Sequence, residues 1–197
     1  MNDSNYPYSV KSPLKLIYFA CRGSCDVIRL LLNDKCIPYE EHNIQGKDFL
    51  QPEFQNVLLE SDNFPILPYL SDPNSEMELT GSLTILRYLG RKCNLMGNNY
   101  EDELQIENWL EYLQLVLNIL WEFDSNSDNF NNIQKNKKRG QFLLENLHPM
   151  LHNIQVRLDN GKKWIMEEYS VADIMLYTVV SAIIRSWGYE ILQPYDK

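Results

Sequence analysis

Residues 16–32 read LIYFACRGSCDVIRLLL, and this stretch decides the fold of the first half of the chain. Apolar, β-prone residues from Leu14 to Phe19 predict a strand, and the apolar residues from Ser24 to Asn33 recur at helical spacing. Tyr18 lies at the end of that strand, just before the Arg22-Gly23 loop. An α/β sheet presents its functional groups where a strand ends and a helix begins. Tyr18 is therefore the first candidate functional residue.

Composition limits the kinds of protein to consider. The chain has 197 residues, 44% of them apolar, which is enough for one or two domains with a buried core. Its 27 acidic and 18 basic side chains give a net charge of -9, which argues against nucleic acid or an anionic membrane surface as partner. No apolar run reaches the roughly 18 residues of a membrane span. We expect a cytoplasmic protein with no membrane partner.

The cysteines and histidines predict neither disulfides nor a metal. The four cysteines are scattered without the spacing of a disulfide framework. Cys21 and Cys25 form a C-x3-C pattern, but the three histidines do not complete a recognisable zinc set. We therefore expect no metal site.

The rest of the first half alternates short strands with helices. Strands are predicted at 39–43, 66–70 and 76–79, and a helix follows Thr80-Gly81-Ser82. Residues 46–59 read as a mixed loop with a short helix. The 66–70 strand contains Pro68, which has no N–H to donate to a neighbouring strand. Such a proline is expected on an edge strand or where the backbone departs from regular strand geometry. The predicted order is βαβ followed by ββα, that is βαβββα.

The second half is predicted to be all-helical. Residues 106–123 and 140–158 read as long amphipathic helices, and the Asn-rich segment 124–138 between them reads as a mobile loop. Ser170 and Asp173 form an S-x-x-D N-cap before an almost wholly apolar helix, which belongs at the centre of a bundle. The boundary between the halves falls near 95–100.

Four motifs together resemble the cytosolic glutathione transferases. They are LIYFACRGSCDVIRLLL, FPILPYL at 64–70, ELTGSLTILRYLGRK at 78–92 and YSVADIMLY at 169–177. The similarity to the tyrosine-type alpha, mu, pi and sigma classes runs from about Leu14 to Trp187. It implies a thioredoxin-like βαβββα domain at 12–96 that binds glutathione and an all-α domain at 100–197. That second domain is shorter than in relatives by a final helix or two if Lys197 is the natural end.

The resemblance implies a detoxifying transferase that joins the thiolate of reduced glutathione to small hydrophobic electrophiles. Glutathione is a co-substrate, no prosthetic group is implied, and the family forms homodimers. A cysteinyl thiol has a pKa of about 8.5, so only a few per cent is thiolate near neutral pH. Lowering that pKa by about two units needs some 2.7 kcal/mol, and one hydrogen bond to a charged acceptor supplies roughly 1.5 to 3. The hydroxyl of Tyr18 is the implied catalytic donor.

The resemblance also assigns the remaining site residues. A cis bond at Leu67-Pro68 would turn the backbone of Leu67 toward the cysteinyl part of glutathione, and Ser82 at a helix start would bind the γ-glutamyl carboxylate. The full implied glutathione site is Tyr18, Leu67, Pro68, Gly81, Ser82, Phe54 and Glu107, the last reaching across the dimer. Phe19 and Tyr112 are assigned to the hydrophobic substrate pocket.

Each assignment has a plain structural alternative. Tyr18 can be a packing residue, since it is one of twelve tyrosines. Pro68 can be a trans proline on an edge strand, because only about one X-Pro bond in twenty is cis. Ser82 can be an ordinary N-cap residue, and Glu107 can lie on a solvated helix face.

The sequence also departs from the family pattern. Gly81 stands where many relatives have a glutamine, so restoring that side chain is expected to add about 0.5 to 1.5 kcal/mol of glutathione binding. The Trp and Lys that hold the glycyl carboxylate have no clear counterpart; Phe49 or Phe54 could supply the ring and Lys47 the charge. Arg22 fits a structural ion pair better than a role at the sulfur. These departures keep two alternatives open: a non-catalytic ligand-binding or structural protein of this fold, and a glutathione-dependent isomerase or peroxidase.

Overall fold

The computed structural model describes residues 10–60, 63–127, 132–159, 161 and 163–195. The chain forms two compact units, Met1–Asn98 and Asn99–Lys197. The first contains the sheet. Within the described ranges no helix has the length and apolar character to cross a bilayer.

Among its described residues, the first unit contains four strands and four α-helices. Their bounds are β1 Leu14–Phe19, α1 Asp26–Asp34, β2 Tyr39–Ile44, α2 Gly46–Phe49, α3 Pro52–Glu60, β3 Tyr69–Asp72, β4 Met77–Thr80 and α4 Ser82–Lys92. A single 3-10 turn, Gly23–Cys25, leads into α1.

The strands form one mixed sheet in the order β2-β1-β3-β4. β1 runs parallel to β2, with Leu14 opposite Tyr39, and antiparallel to β3, with Ile17 opposite Tyr69. Alternate residues of β1 are buried, as expected for a strand with one face on a core. That core joins the sheet to α1 and α4, which contact each other. Its fully buried side chains include Leu14, Leu16, Ile28, Leu31, Leu32, Leu70, Ile85, Leu86 and Leu89, each contributing about 1.5 to 3 kcal/mol by burial.

The predicted fold class is confirmed, and the first unit differs from its predicted elements by more than one residue at three places. Two helices, α2 and α3, occupy the segment expected to be a mixed loop with one short helix. β3 begins at Tyr69 rather than Ile66, because Pro68 has no N–H with which to extend the ladder. The regular part of α1 begins at Asp26 rather than Ser24, after the 3-10 turn.

The described residues of the second unit form helices joined by irregular segments, and none of them lies in a strand. α5 is Tyr100–Ser127, α6 Asn132–Phe142, α7 His148–Leu158 and α8 Val171–Trp187; a π-helical turn, Leu143–Leu147, joins α6 to α7, and a 3-10 stretch covers Tyr189–Tyr195. α8 packs on α5 and buries Val171, Ala172, Ile174, Met175, Thr178, Val179, Ala182 and Ile183.

The predicted N-cap of α8 is confirmed as a capping box. Asp173 accepts hydrogen bonds from the Ser170 N–H at 2.9 Å and from the Ser170 hydroxyl at 3.1 Å. Its other oxygen accepts from the Ile165 N–H at 2.9 Å, so one carboxylate fixes both the helix start and the segment that leads into it.

The loop predicted at 124–138 is wrong where the structure describes it. α5 continues through Ser127 and α6 begins at Asn132, while residues 128–131 lie outside the described ranges. An aromatic cluster fixes the far end of α6. Phe142 stacks on Phe123 at 4.2 Å and on Trp187 at 5.6 Å. Arg139 lies 4.2 Å above the Trp187 ring and donates to the Ser186 carbonyl at 2.7 Å.

Candidate active site

Tyr18 is buried, yet its hydroxyl meets polar groups. The side chain is only 8% exposed at the end of β1. The backbone N–H of Ser24 donates to the Tyr18 oxygen at 3.2 Å, and the Ser24 hydroxyl lies 3.1 Å from the same oxygen. The ring therefore packs as a core residue while the phenolic oxygen is held by the loop before α1. Packing and a donor role are compatible in this geometry.

Gly23 allows that loop to lie against the tyrosine. It has φ +52, and a Cβ atom at this position would be only 2.4 Å from the Tyr18 oxygen. Any side chain would displace either the loop or the hydroxyl, and the left-handed backbone is itself unfavourable for other residues. Gly23 is therefore a structural requirement of the site.

Arg29 ties the same loop to the sheet. Its Nε donates to both oxygens of Glu41 on β2, at 3.0 and 3.2 Å. Its Nη1 donates to the carbonyls of Cys21 and Arg22 at 2.9 and 3.0 Å, and the guanidinium lies 5.6 Å from the centre of the Tyr18 ring. We call Arg29 and Glu41 the loop clamp. The loop clamp was not predicted because no local sequence pattern indicates that a helix residue and a strand residue will pair.

The bond between Leu67 and Pro68 is cis, which confirms the prediction and excludes the trans alternative. The carbonyl of Pro68 accepts from the Gly81 N–H at 2.9 Å. The β1–β3 ladder ends at the pair Ile17–Tyr69, so Leu67 lies beyond the ladder. Its role toward glutathione stays a prediction.

Gly81, and not Ser82, is the N-cap of α4, which corrects the plain N-cap interpretation of Ser82. Ser82 is the first helical residue and is half-buried. Gly81 has φ +86, where a side chain is strained. Such strain costs of order 1 to 3 kcal/mol, which opposes the 0.5 to 1.5 kcal/mol expected from a glutamine contact. Replacing this glycine is therefore not a simple gain of one hydrogen bond.

The two phenylalanines proposed in place of tryptophan join the tyrosine through a row of rings. Tyr18 and Phe19 are 5.4 Å apart between ring centres, Phe19 and Phe49 are 5.8 Å apart, and Phe49 and Phe54 are 6.1 Å apart. The two phenylalanine pairs meet edge-on, a contact that stabilises a pair by about 0.5 to 1.5 kcal/mol beyond burial. Phe49 lies nearer to Tyr18 along this row than Phe54. Lys47 lies on the same short helix as Phe49, α2.

Two predicted site residues, Glu107 and Tyr112, belong to α5 in the second unit. The Tyr112 hydroxyl accepts from the Asn153 side chain at 3.2 Å and donates to the Met150 carbonyl at 3.4 Å. Its polar end is therefore engaged with α7. The roles assigned to both residues stay predictions.

Arg22 and Cys25 lie near this site in surroundings that do not favour thiol chemistry. Arg22 is 68% exposed and pairs with Asp26 at 3.9 Å, as the ion-pair interpretation predicts. Burial raises the pKa of the Cys25 thiol to about 12, so this cysteine stays protonated near neutral pH.

A mixed four-stranded sheet with a cis-proline, followed by an all-helical unit, defines a protein with a thioredoxin-like first unit. No family model matches the chain. It is 27% identical over 176 residues to glutathione S-transferase Mu 3 of Macaca fuscata fuscata, covering 87% of this chain and 74% of that protein. It is 38% identical over 112 residues to glutathione S-transferase Mu 7 of Rattus norvegicus, covering 53% of this chain and 50% of that protein.

Solved structures share the fold. The pi-class glutathione S-transferase of Onchocerca volvulus matches with a TM-score of 0.73 at 24% identity, over 93% of this chain and 83% of that one. Prostaglandin synthase D of Nilaparvata lugens matches with a TM-score of 0.74 at 20% identity, over 94% and 88%. At these identities the structures establish the fold alone. The chain is therefore similar in sequence to glutathione S-transferases and shares the fold of these structures.

Proposed function

We propose that this protein conjugates the thiolate of reduced glutathione to small hydrophobic electrophiles, with Tyr18 as the catalytic hydrogen-bond donor. The observation that carries the proposal is the position of the Tyr18 oxygen, which accepts a backbone N–H from Ser24 at the mouth of the loop before α1. A phenol that accepts from the protein still has its own proton to donate. A thiolate is a charged acceptor, so it forms a stronger hydrogen bond with this proton than a neutral acceptor does.

The free energy of this hydrogen bond is comparable to the free energy needed to lower the thiol pKa. A hydrogen bond to a charged acceptor contributes roughly 1.5 to 3 kcal/mol, against the 2.7 kcal/mol or so that a two-unit fall in thiol pKa requires. The loop also opens α1, whose N-terminal end favours a negative charge by up to about 1 kcal/mol. Tyr18 and the helix together are sufficient to keep bound glutathione largely ionised near neutral pH.

The remainder of the site would hold the peptide. The backbone of Leu67 beside the cis-proline would pair with its cysteinyl part. Ser82 and the first N–H groups of α4 would receive the γ-glutamyl carboxylate. Phe49 or Phe54 would contact the glycyl end. Glu107 would reach the peptide bound by a partner chain.

We also propose a cytoplasmic homodimer. Phe64, just before the cis-proline, is 76% exposed, and Ile66 beside it is 50% exposed. Large apolar side chains grouped on a surface mark interaction sites more often than isolated ones do. The four cysteines are all free thiols, which fits a reducing compartment.

The test is Tyr18→Phe, which removes the hydroxyl and keeps the ring. Conjugation of an aryl halide near neutral pH should fall by about tenfold to a hundredfold, and the deficit should shrink as pH rises because solvent then takes the proton. Glutathione affinity should change little. Tyr100→Phe, at a tyrosine that is 69% exposed, is the matched control and should behave as the parent. Equal conjugation by Tyr18→Phe and the parent would make Tyr18 a packing residue only.

The non-catalytic alternative is supported by Gly81, which cannot reach the γ-glutamyl group, and by the missing Trp and Lys. It predicts that glutathione binds weakly and keeps the thiol pKa of the free peptide. Titrating the ultraviolet absorbance of the thiolate in the complex separates the two. A lowered pKa without aryl-halide conjugation would favour the isomerase or peroxidase alternative, to be assayed with endoperoxide and hydroperoxide substrates.

A further inference from the structure

Ser24 places two polar groups against one oxygen. Its backbone N–H donates to the Tyr18 oxygen at 3.2 Å, and its hydroxyl lies 3.1 Å from that oxygen in a contact where either group can be the donor. Ser24 is half-buried and lies in the 3-10 turn that opens α1. One residue therefore controls most of the hydrogen bonding at the proposed catalytic hydroxyl.

The direction of the hydroxyl contact decides what Tyr18 can do. A phenol has one proton to donate and two lone pairs that accept. If Tyr18 donates to Ser24, its proton is used within the protein. If Ser24 donates to Tyr18, both lone pairs are filled by Ser24 and the Tyr18 proton is available to a third group. The second arrangement also makes the phenol a stronger donor, since hydrogen bonds in a chain strengthen one another by about 10 to 30% per bond.

We infer that the Ser24 hydroxyl is a positioning group that donates to the Tyr18 oxygen and thereby directs the Tyr18 proton toward the thiolate. The inference rests on the proposed function. A bound thiolate accepts the Tyr18 proton, and the rotatable Ser24 hydroxyl then turns to donate behind it. No bond is made or broken in this step. Ser24 acts through Tyr18 and needs no contact with the sulfur.

The charged groups around Tyr18 allow this role to be isolated. Arg29 lies over the tyrosine ring, and its guanidinium is paired with Glu41 and with Asp26. Arg22 is exposed and also pairs with Asp26. None of these contacts uses the Ser24 hydroxyl, so removing that hydroxyl leaves the surrounding charges in place.

The experiment compares Ser24→Ala, which removes the hydroxyl but keeps the backbone N–H, with Ser24→Thr, which keeps both. The pKa of bound glutathione is measured by thiolate absorbance, and conjugation is measured against pH. Ser24→Ala should raise that pKa and slow conjugation near neutral pH by about two- to fivefold, with parent rates restored at high pH. Ser24→Thr should leave the pKa of bound glutathione as low as in the parent. Ser125→Ala, at an exposed serine of α5, is the matched control.

A double-mutant cycle with Tyr18→Phe completes the design. Once the phenolic proton is gone, Ser24→Ala should have no further effect on the thiol pKa. A pKa that stays the same or falls in Ser24→Ala would overturn the inference, because Tyr18 would then be donating to Ser24 or ignoring it. An equal effect of Ser24→Ala with and without the Tyr18 hydroxyl would overturn it too. If Tyr18→Phe alone leaves the pKa unchanged, the proposed function fails and the inference with it; if only Ser24→Ala is silent, the inference alone fails.

Discussion

Gly23→Ala is the substitution that most directly tests the geometry of the loop. The added Cβ would lie 2.4 Å from the Tyr18 oxygen, so the loop and the hydroxyl must separate by about 0.6 Å to reach the 3.0 Å that real Cβ contacts require. The left-handed backbone at φ +52 adds a strain of order 1 to 3 kcal/mol. Overpacking adds about 1 to 3 kcal/mol, so we expect a loss of about 2 to 6 kcal/mol in the free energy of unfolding.

The same displacement should reduce activity. Moving the loop lengthens the contacts between Ser24 and the Tyr18 oxygen, which are 3.1 and 3.2 Å in the structure. Conjugation near neutral pH should therefore fall by an amount comparable to Tyr18→Phe, about tenfold or more. Urea unfolding and a conjugation assay on the same preparation measure both effects.

Two other glycines separate backbone strain from the clash. Gly161 has φ +73 but nothing within 4 Å of an added Cβ, so Gly161→Ala should cost strain alone and leave conjugation unchanged. Gly46 has open space and an ordinary φ, so Gly46→Ala should be neutral or stabilising by about 0.4 to 1 kcal/mol. The reasoning is refuted if Gly23→Ala loses no more stability than Gly161→Ala and conjugates as well as the parent.

Three further predictions concern stability and assembly. Burial alone would raise the pKa of Asp72, but hydrogen bonds from Tyr88 at 2.6 Å and from Asn74 hold it below its ordinary value. Its carboxylate therefore stabilises the fold above about pH 4, and this contribution is lost as pH falls through the lower folded-state pKa. Asp72→Asn should reduce the loss of stability with acid in unfolding curves recorded from about pH 6 to pH 3. The same acid dependence in the variant and the parent would contradict this prediction. Phe64→Glu should convert a dimer to a monomer in light scattering. Glutathione affinity per chain, measured on the same variant, tests whether the two chains share a site. An unchanged mass would remove Phe64 from the interface. Phe142→Ala should cost about 3 to 5 kcal/mol in unfolding and shift Trp187 fluorescence, because the ring stacks on that indole, whereas unperturbed emission would show that the cluster does not hold α6.

The first unit could be predicted well because its signals are local. β1 was predicted at Leu14–Phe19, its observed bounds, because an apolar run between a proline and a loop has one natural length. The cis bond at Pro68 followed from resemblance, since composition cannot distinguish cis from trans. The start of β3 was missed by three residues because the effect of Pro68 on the ladder depends on a neighbouring strand.

The parts that sequence could not predict depend on partners distant in the chain. The Asn-rich segment reads as a loop because its own residues are polar, yet Arg139 and Phe142 anchor the end of α6 through Trp187, 45 residues or more beyond them. Arg29 and Glu41 are 12 residues apart and meet only because β2 lies parallel beside β1. The contact between Ser24 and Tyr18 could not be predicted either, because it joins the end of a strand to a loop six residues further on.

The loop clamp has a consequence for exchanging parts between relatives. Arg29 on α1 donates to two carbonyls of the loop, and Glu41 on β2 holds Arg29. Tyr18, Gly23 and the loop clamp therefore depend on one another and lie within one stretch of sequence, residues 18–41. A chimera that joins this chain to a relative between Arg29 and Glu41 would separate this guanidinium from its own carboxylate. The charge left behind is four-fifths buried on either side, at 19% and 20% exposure. Productive crossover points should therefore lie before Tyr18 or after Glu41.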